Sequence, residues 1–444
     1  MKFRRIVLLI ATLTVCHLSN GFAKDNKEPA FSASQFISPQ VCGDCHGDIY
    51  AQWENSMHSL AQKDPIYLKV AKFFLKGLTH PGEIEESESC VKCHTPVGFI
   101  TGKPRKTSEE FDDIPEIARQ GVQCDFCHSA TGADKVYNNG MILDPGQGEI
   151  DPGVKRGPRK DAVSGYHETA YSEFHTNAEI CGTCHNVKHV AFDTDLETTY
   201  DEWANSPYNA DAGRITCQGC HMYQRPGVPA TGATERPDNP GLACDFGPER
   251  PHVFTHNFVG ANTVVPGQFD GDDKTQMAGE RLKNAATLTL DTSKIKDGRL
   301  NVKVTNTGAG HKLPTGLTNA RQMWLEITIT AVGTGKTLFT AGVPDKDGYI
   351  PENTVIYNTV FGDGKGNPVI NISRAREILR DYRILPQQSV TETFALPKEL
   401  PAKGLNIRTR LCYRIFSQKQ LDMVVGKGTI SPPVIIMTEA SASI

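Results

Sequence analysis

The sequence predicts a multidomain chain in which a mainly α-helical and irregular domain precedes an all-β, immunoglobulin-like sandwich. Up to about residue 223, one cysteine pattern recurs five times, and the apolar residues between its copies are too sparse for a conventional core. From about residue 285, short segments alternate apolar and polar residues, as strands with one buried face do. A length of 444 residues allows two to three domains.

The recurring pattern is Cys-x-x-Cys-His. Two thiols three positions apart can reach the two vinyl groups on one edge of a haem and form thioethers, and the next residue, histidine, can bind the iron. A structural zinc site instead joins two such cysteine pairs, or one pair with two distant histidines. Because the number of pairs is odd and histidine follows each pair, the pattern predicts five covalently bound haems c.

The haem-site residues follow directly from the pattern, which uses ten of the 13 cysteines. The predicted thioether cysteines are Cys42, Cys45, Cys90, Cys93, Cys124, Cys127, Cys181, Cys184, Cys217 and Cys220. The predicted proximal iron ligands are His46, His94, His128, His185 and His221.

The first 23 residues read as a signal peptide. Lys2, Arg4 and Arg5 precede an apolar run over 6–15, and a small-residue cleavage site follows at 21–23. The apolar run is too short to span a membrane as a helix, and we expect no transmembrane segment elsewhere. Since c-type haems are attached outside the cytoplasm, we expect a periplasmic or cell-surface protein of a Gram-negative bacterium.

Charge restricts the class of partner. The formal net charge is -4, and removal of residues 1–23 makes it about -7. Haem propionates would add further negative charge, which argues against nucleic acid as a partner. We expect redox partner proteins or an extracellular electron acceptor, and an oligomer is possible.

Composition suggests three mature segments. Residues 24–223 form the haem-binding domain, and 224–284, rich in Pro, Gly and Asp, form a connector packed on it. Residues 285–444 form a sandwich of seven or eight strands, with a helical turn near 374–380. The clearest predicted strands are 288–291, 300–304, 324–330 and 407–414.

One internal similarity suggests a duplication. The first motif is followed by Tyr50-Ala-Gln-Trp-Glu-Asn-Ser-Met-His58, and the fourth by Tyr200-Asp-Glu-Trp-Ala-Asn-Ser-Pro-Tyr208 after 11 additional residues. Where the first copy has His58, the second has Tyr208. Tyr208 could pack against a haem edge, ligate iron, or line an open site.

A second axial ligand decides whether a haem iron is closed for electron transfer or open to a substrate. Nine histidines lie outside the motifs, and His17 belongs to the predicted signal peptide. The five candidate distal ligands are His58, His167, His175, His256 and His311. The weaker candidates are His80, His189 and His252.

Segments 121–128, 197–203 and 217–222 resemble multihaem cytochromes related to the cytochrome c-554 and c-prime family. The resemblance covers roughly residues 38–262 and implies closely packed haems that pass electrons between them. The related nitrite reductases typically carry lysine in place of one motif histidine, so that activity is disfavoured. The sandwich and its segment 310–316 resemble those of multihaem cytochromes from metal-reducing bacteria.

Three functions remain open from the sequence. The first is an exported five-haem electron carrier with mostly bis-histidine haems, serving anaerobic or extracellular respiration without a catalytic residue. The second is a haem oxidoreductase acting on a small nitrogen or sulfur compound at one open iron, with Tyr208 and the fourth or fifth haem as its expected location. The third is a subunit of an extracellular haem filament.

Overall fold

A computed structural model describes residues 28–444. The predicted signal peptide lies outside the described residues. Within them, no helix combines the length and the apolar character needed to cross a membrane. The predicted fold class is confirmed, because short helices and irregular segments precede a set of antiparallel sheets.

The first part of the chain consists of short helices. They are α1 (Pro39–Gly43), α2 (Gly47–Trp53), α3 (Pro65–Phe74), α4 (Pro81–Glu88), α5 (Val91–His94), α6 (Pro96–Thr101), α7 (Glu116–Arg119), α8 (Cys124–His128), α9 (Glu179–Gly182), α10 (Thr199–Ala204) and α11 (Cys217–His221). The third and fifth motifs coincide with α8 and α11, the second begins just before α5, and the first and fourth run past the ends of α1 and α9. Residues three apart in a helix share a face, so the two thiols of α8, and those of α11, point the same way.

Small two-stranded sheets join these helices. Their strands are β1 (Ala130–Ala133), β2 (Met141–Leu143), β3 (Val154–Gly157), β4 (Glu168–Tyr171), β5 (Val187–Lys188), β6 (Asp195–Glu197), β7 (Gly241–Leu242) and β8 (Glu249–Arg250). The pairs are β1–β2, β3–β4, β5–β6 and β7–β8, and only β3–β4 is parallel.

The second part contains two larger sheets. Its strands are β9 (Ala286–Asp291), β10 (Arg299–Asn306), β11 (Gln322–Ala331), β12 (Thr337–Ala341), β13 (Ile356–Gly362), β14 (Pro368–Val369), β15 (Glu377–Tyr382), β16 (Ser389–Ala395), β17 (Leu405–Arg414) and β18 (Ile435–Ser443). One sheet has the order β16-β10-β9. The other runs β14-β13-β11-β17-β18, with β12 beside β11 and β15 beside β13.

The sandwich core forms where these sheets face each other. Along β10, buried Leu300, Val302 and Val304 alternate with more exposed residues. They join one apolar cluster with Leu325 of β11 and Leu411 of β17. The alternation follows from the two-residue period of a strand, which sends successive side chains to opposite faces.

Two helices were not expected from the sequence. Helix α12 (Asp272–Lys283) lies in the predicted connector, where Met277, Ala278 and Leu282 are buried at helical spacing. Helix α13 (Gln418–Val425) follows β17. The expected helical turn near 374–380 is a 3₁₀ turn over Ile372–Arg374, and strand β15 follows because it pairs with β13.

We expect Leu300→Ala to lower the free energy of unfolding by about 2–5 kcal/mol, because it leaves a cavity between the two sheets. Chemical denaturation followed by far-ultraviolet circular dichroism measures the change. Lys303→Ala, on an exposed position of the same strand, is the control and should change stability by no more than about 0.5 kcal/mol. Equal effects of the two substitutions would contradict the assignment of the buried face.

Candidate haem-binding sites

The motif histidines are held through one ring nitrogen. The Nδ1–H group of His46 donates to the carbonyl of Ala243 (2.5 Å), and that of His94 donates to the carbonyl of Ala61 (3.2 Å). The Nδ1–H group of His128 donates to the carbonyl of Arg156 (2.6 Å), and that of His221 donates to the carbonyl of Val259 (2.9 Å). This fixes the tautomer and leaves Nε2 free to bind a metal. In His185 the nitrogen Nδ1 instead lies 3.4 Å from Oε1 of Glu197.

Three motif histidines face a second histidine at a spacing that fits a shared iron. Metal–imidazole bonds of about 2 Å on each side, plus about 1.2 Å from nitrogen to ring centre, separate two trans rings by roughly 6 Å. The ring-centre distances are 6.2 Å for His58 and His185, 6.5 Å for His128 and His256, and 6.5 Å for His221 and His311. The residues present therefore fit bis-histidine haems.

Burial keeps most of these imidazoles neutral, as ligation requires. Desolvation lowers the pKa of His58 to about 3, and nearby His185 and His256 contribute. Desolvation also lowers the pKa of His256 to about 4 and lowers the pKa of His311. These imidazoles would not need to lose a proton before binding iron near neutral pH.

The two sequence repeats share local structure. The rings of Tyr50 and Trp53 are 5.9 Å apart at 43°, and those of Tyr200 and Trp203 are 5.8 Å apart at 43°. A Cβ atom on Gly43 would collide with the ring of Tyr50, and a Cβ atom on Gly182 would collide with the ring of Tyr200. Glycine as the second residue of the first and fourth motifs is therefore explained by the tyrosine that packs over it.

The repeats differ where one has His58 and the other Tyr208. His58 packs on Phe258 (4.3 Å) and faces His185. Tyr208 is buried, and its hydroxyl donates to the carbonyl of Thr307 (3.3 Å). Tyr208 thus contacts the sandwich loop that carries His311, and its packing interpretation is favoured over a ligand or an open site.

An ionic contact holds the His311 loop against the haem-binding part. One carboxylate oxygen of Glu202 accepts hydrogen bonds from the Lys312 amide (3.1 Å) and the Thr315 hydroxyl (2.7 Å). The other oxygen pairs with the guanidinium of Arg383. The side chains of Glu202 and Arg383 are both nearly inaccessible, so this buried contact fixes the loop just after its ligand candidate.

His128 also has a second neighbour. The rings of His128 and His175 are 5.6 Å apart at 18°. His175 donates from Nε2–H to the carbonyl of Cys127 (3.0 Å), which leaves Nδ1 buried without a hydrogen-bond partner. His256 donates from Nδ1–H to Phe254 and leaves Nε2 free. Both candidates reach the third motif, and one iron can accept only one of them.

The first and second motifs have different surroundings. His167 does not stack on a motif histidine, but it lines a cavity of about 460 Å³ with Tyr166, whose pKa is raised by burial and by nearby charges that include Cys42 and Cys45. His94 stacks on Tyr67 (3.9 Å, 3°). Among residues 28–444, no histidine ring faces His94 in this way.

The weaker candidates have structural contacts. His189 accepts a hydrogen bond from the Ala191 amide at Nδ1 and donates from Nε2–H to Ser373, so both of its nitrogens are engaged. His80 caps helix α4 by accepting from the Gly82 amide. His252 stacks on Tyr223 at 4.0 Å and accepts from the Asn239 amide at Nδ1, which leaves Nε2 buried without a hydrogen-bond partner.

Neighbouring thiols connect the motifs. Three pairs of thiols from different motifs interact directly: Cys42 with Cys124, Cys93 with Cys184, and Cys181 with Cys217. In each pair the contact lowers the pKa of one thiol (Cys42, Cys184 or Cys217) and raises the pKa of the other. After burial, the charge of Cys184 further raises the pKa of Cys127. The fourth motif therefore neighbours the second, third and fifth motifs.

Two site residues were missed by sequence reasoning. Glu197 lies beside His185, and Tyr67 lies on His94. The longer spacing between His185 and Tyr200 marked this stretch of the second repeat, but no feature of the sequence singled out Glu197 within it. Tyr67 carried no signal, because an aromatic residue in a short amphipathic helix is typical of packing alone.

Comparison with known proteins agrees with this geometry. Residues 41–129 match the family model for cytochrome c554 and c-prime. A penta-heme cytochrome c552 from Thermochromatium tepidum superposes with a TM-score of 0.63 at 19% identity, over 94% of this chain and 100% of that one. A search of curated proteins finds no match. The structural likeness shows a shared fold, and the family match confirms the expected resemblance over residues 41–129.

We expect Tyr208→Phe to leave the ligation of every haem unchanged, because the hydroxyl already donates to Thr307. Electron paramagnetic resonance of the oxidised protein measures the spin states. The lost hydrogen bond should cost about 0.5–1.5 kcal/mol of stability. A change in any spin state would show that Tyr208 acts on a haem and not on the loop.

Proposed function

We propose that the chain is a multihaem c-type cytochrome, an exported electron carrier with five covalent haems c, one at each motif. The ten motif cysteines would hold the haems through thioethers, and the five motif histidines would be their proximal ligands. Bound haem supplies one-electron chemistry at iron. The observation that carries the proposal is the placement of three motif histidines opposite a second, neutral imidazole.

The distal ligands follow from these pairs. His58 would close the iron of the fourth motif, His311 that of the fifth, and His256 or His175 that of the third. His167 would serve the first motif, since its segment approaches Cys42 and Cys45. Two imidazole ligands exclude substrate from an iron, so most of the array would carry electrons and bind no small molecule.

The chain's own residues connect the array. The neighbouring thiols order the motifs as first, third, fourth and fifth, with the second adjoining the fourth. The net charge of about -7 after removal of a signal peptide favours positively charged redox proteins as partners, by electrostatic attraction. We place the protein in the periplasm or at the surface of a Gram-negative cell, in anaerobic or extracellular respiration.

The test begins with the mass of the purified protein, which should equal the processed chain plus five haems. We then expect His58→Ala and His311→Ala each to convert one low-spin haem of five to high-spin, because each removes one sixth ligand. Electron paramagnetic resonance, calibrated against the haem count, measures this change.

His189→Ala is the matched control for these variants. It also removes a buried imidazole, but both nitrogens of His189 bond to protein groups, so spin states should not change. If both ligand variants kept the spectrum of the unmodified protein, the assignments of His58 and His311 would be wrong. A mass with fewer than five haems would reject the five-haem carrier.

The environment of His94 supports a second candidate function, an oxidoreductase acting on a small nitrogen or sulfur compound. No histidine ring among residues 28–444 faces His94, and Tyr67 covers one side of its ring. We therefore place an open iron at the second motif and not beside Tyr208.

We expect the dithionite-reduced protein to bind carbon monoxide at about one haem per chain, because a sixth position occupied by histidine resists this ligand. The shift of the Soret band on titration gives the stoichiometry. His58→Ala is the positive control and should add one binding haem. Absence of binding in the unmodified protein, with binding in the control, would mean that all five irons are closed.

A further inference from the structure

His185 differs from the other motif histidines in the partner of its Nδ1 atom. In the four others, Nδ1–H donates to a backbone carbonyl. In His185, Nδ1 lies 3.4 Å from the carboxylate oxygen Oε1 of Glu197, a close electrostatic contact. The fourth motif therefore has an anionic neighbour where the other four have a neutral one.

The additional segment of the second repeat creates this contact. Tyr50 follows His46 by four residues, whereas Tyr200 follows His185 by 15, a difference of 11. The added residues form the β5–β6 hairpin, in which Val187 pairs with Glu197. The hairpin thus returns the chain to His185 and places a carboxylate beside its ring.

Contacts with the sandwich anchor the hairpin. Leu196, next to Glu197, is buried in one apolar cluster with Phe361 and Ala375 of the sandwich. At the other end, His189 donates to the carbonyl of Ser373 at 2.9 Å. The position of the carboxylate is therefore set by tertiary packing and not by a mobile loop.

A second contact orients the Glu197 carboxylate. The hydroxyl of Thr199 also donates to the same carboxylate oxygen at 3.3 Å.

A carboxylate partner makes an axial imidazole a more basic ligand than a carbonyl partner does. A more basic ligand, and a nearby negative charge, both stabilise ferric over ferrous iron. We propose that Glu197 is a tuning residue that lowers the reduction potential of the haem at the fourth motif. This inference rests on the proposed function, because it requires haem at Cys181 and Cys184.

The location of the fourth motif gives the tuning a consequence. Its thiols neighbour those of the second, third and fifth motifs, so it is the junction of the array. A lowered potential would make reduction of this haem less favourable and would raise the free-energy cost of passing an electron through it.

The test compares Glu197→Gln with the unmodified protein by potentiometric titration, followed by optical and electron paramagnetic resonance spectra. We expect one midpoint potential to shift to a more positive value, because glutamine retains the shape and loses the charge. Asp195→Asn is the matched control. Asp195 lies on the same strand but pairs with Lys188 at 2.8 Å, so its loss should leave the five potentials unchanged.

Glu197→Asp is a second variant that tests the inference if Glu197→Gln does not fold or does not bind all of its haems. It keeps a carboxylate but withdraws it by one methylene, and should give a smaller shift in the same direction. Unchanged or more negative potentials in these variants overturn the inference, as does an equal shift in Asp195→Asn. Mass spectrometry of the same samples separates the two proposals. A missing haem at the fourth motif would refute the proposed function, whereas five haems with unshifted potentials would refute only the role of Glu197.

Discussion

The arrangement of the haem-binding part depends on one constraint, the fixed orientation of each motif imidazole. A ring whose Nδ1 is held by a protein group can offer only Nε2 to iron. The clusters of buried apolar side chains in this part are small and separate, such as the group of Phe36, Val97 and Phe126. Hydrogen bonds between distant segments therefore do more to fix the positions of the motifs than a continuous apolar core does.

The sandwich is the exception to this lack of core, and it supplies a ligand candidate to the other part. Its loop places the ring of His311 6.5 Å from that of His221 in the fifth motif. The contact between Glu202 and Arg383 accompanies this loop. A buried pair of this kind gives little net stability, but loss of one partner leaves an uncompensated charge that costs about 3–5 kcal/mol. It therefore favours one docking position over alternatives.

The sequence allowed the fold class, the motifs and the four clearest strands to be predicted, because each depends on residues close together in the chain. The pairing of distal histidines could not be predicted in the same way. His58 and His185 lie far apart in sequence, and only the folded chain brings their rings to 6.2 Å. Helix α12 was missed because its few apolar residues stand among charged ones, although Met277, Ala278 and Leu282 have helical spacing.

The internal origin of the ligand candidates bears on the three functions considered. A filament held together by shared haems requires a ligand that crosses from one chain to the next. Here the motif histidines of the third, fourth and fifth motifs each face an imidazole of the same chain. If these imidazoles occupy the sixth positions of the three irons, a ligand from a second chain could bind only at the first and second motifs. Electron transfer through a self-contained array requires no such sharing. The geometry thus favours a carrier over a filament joined by shared haems.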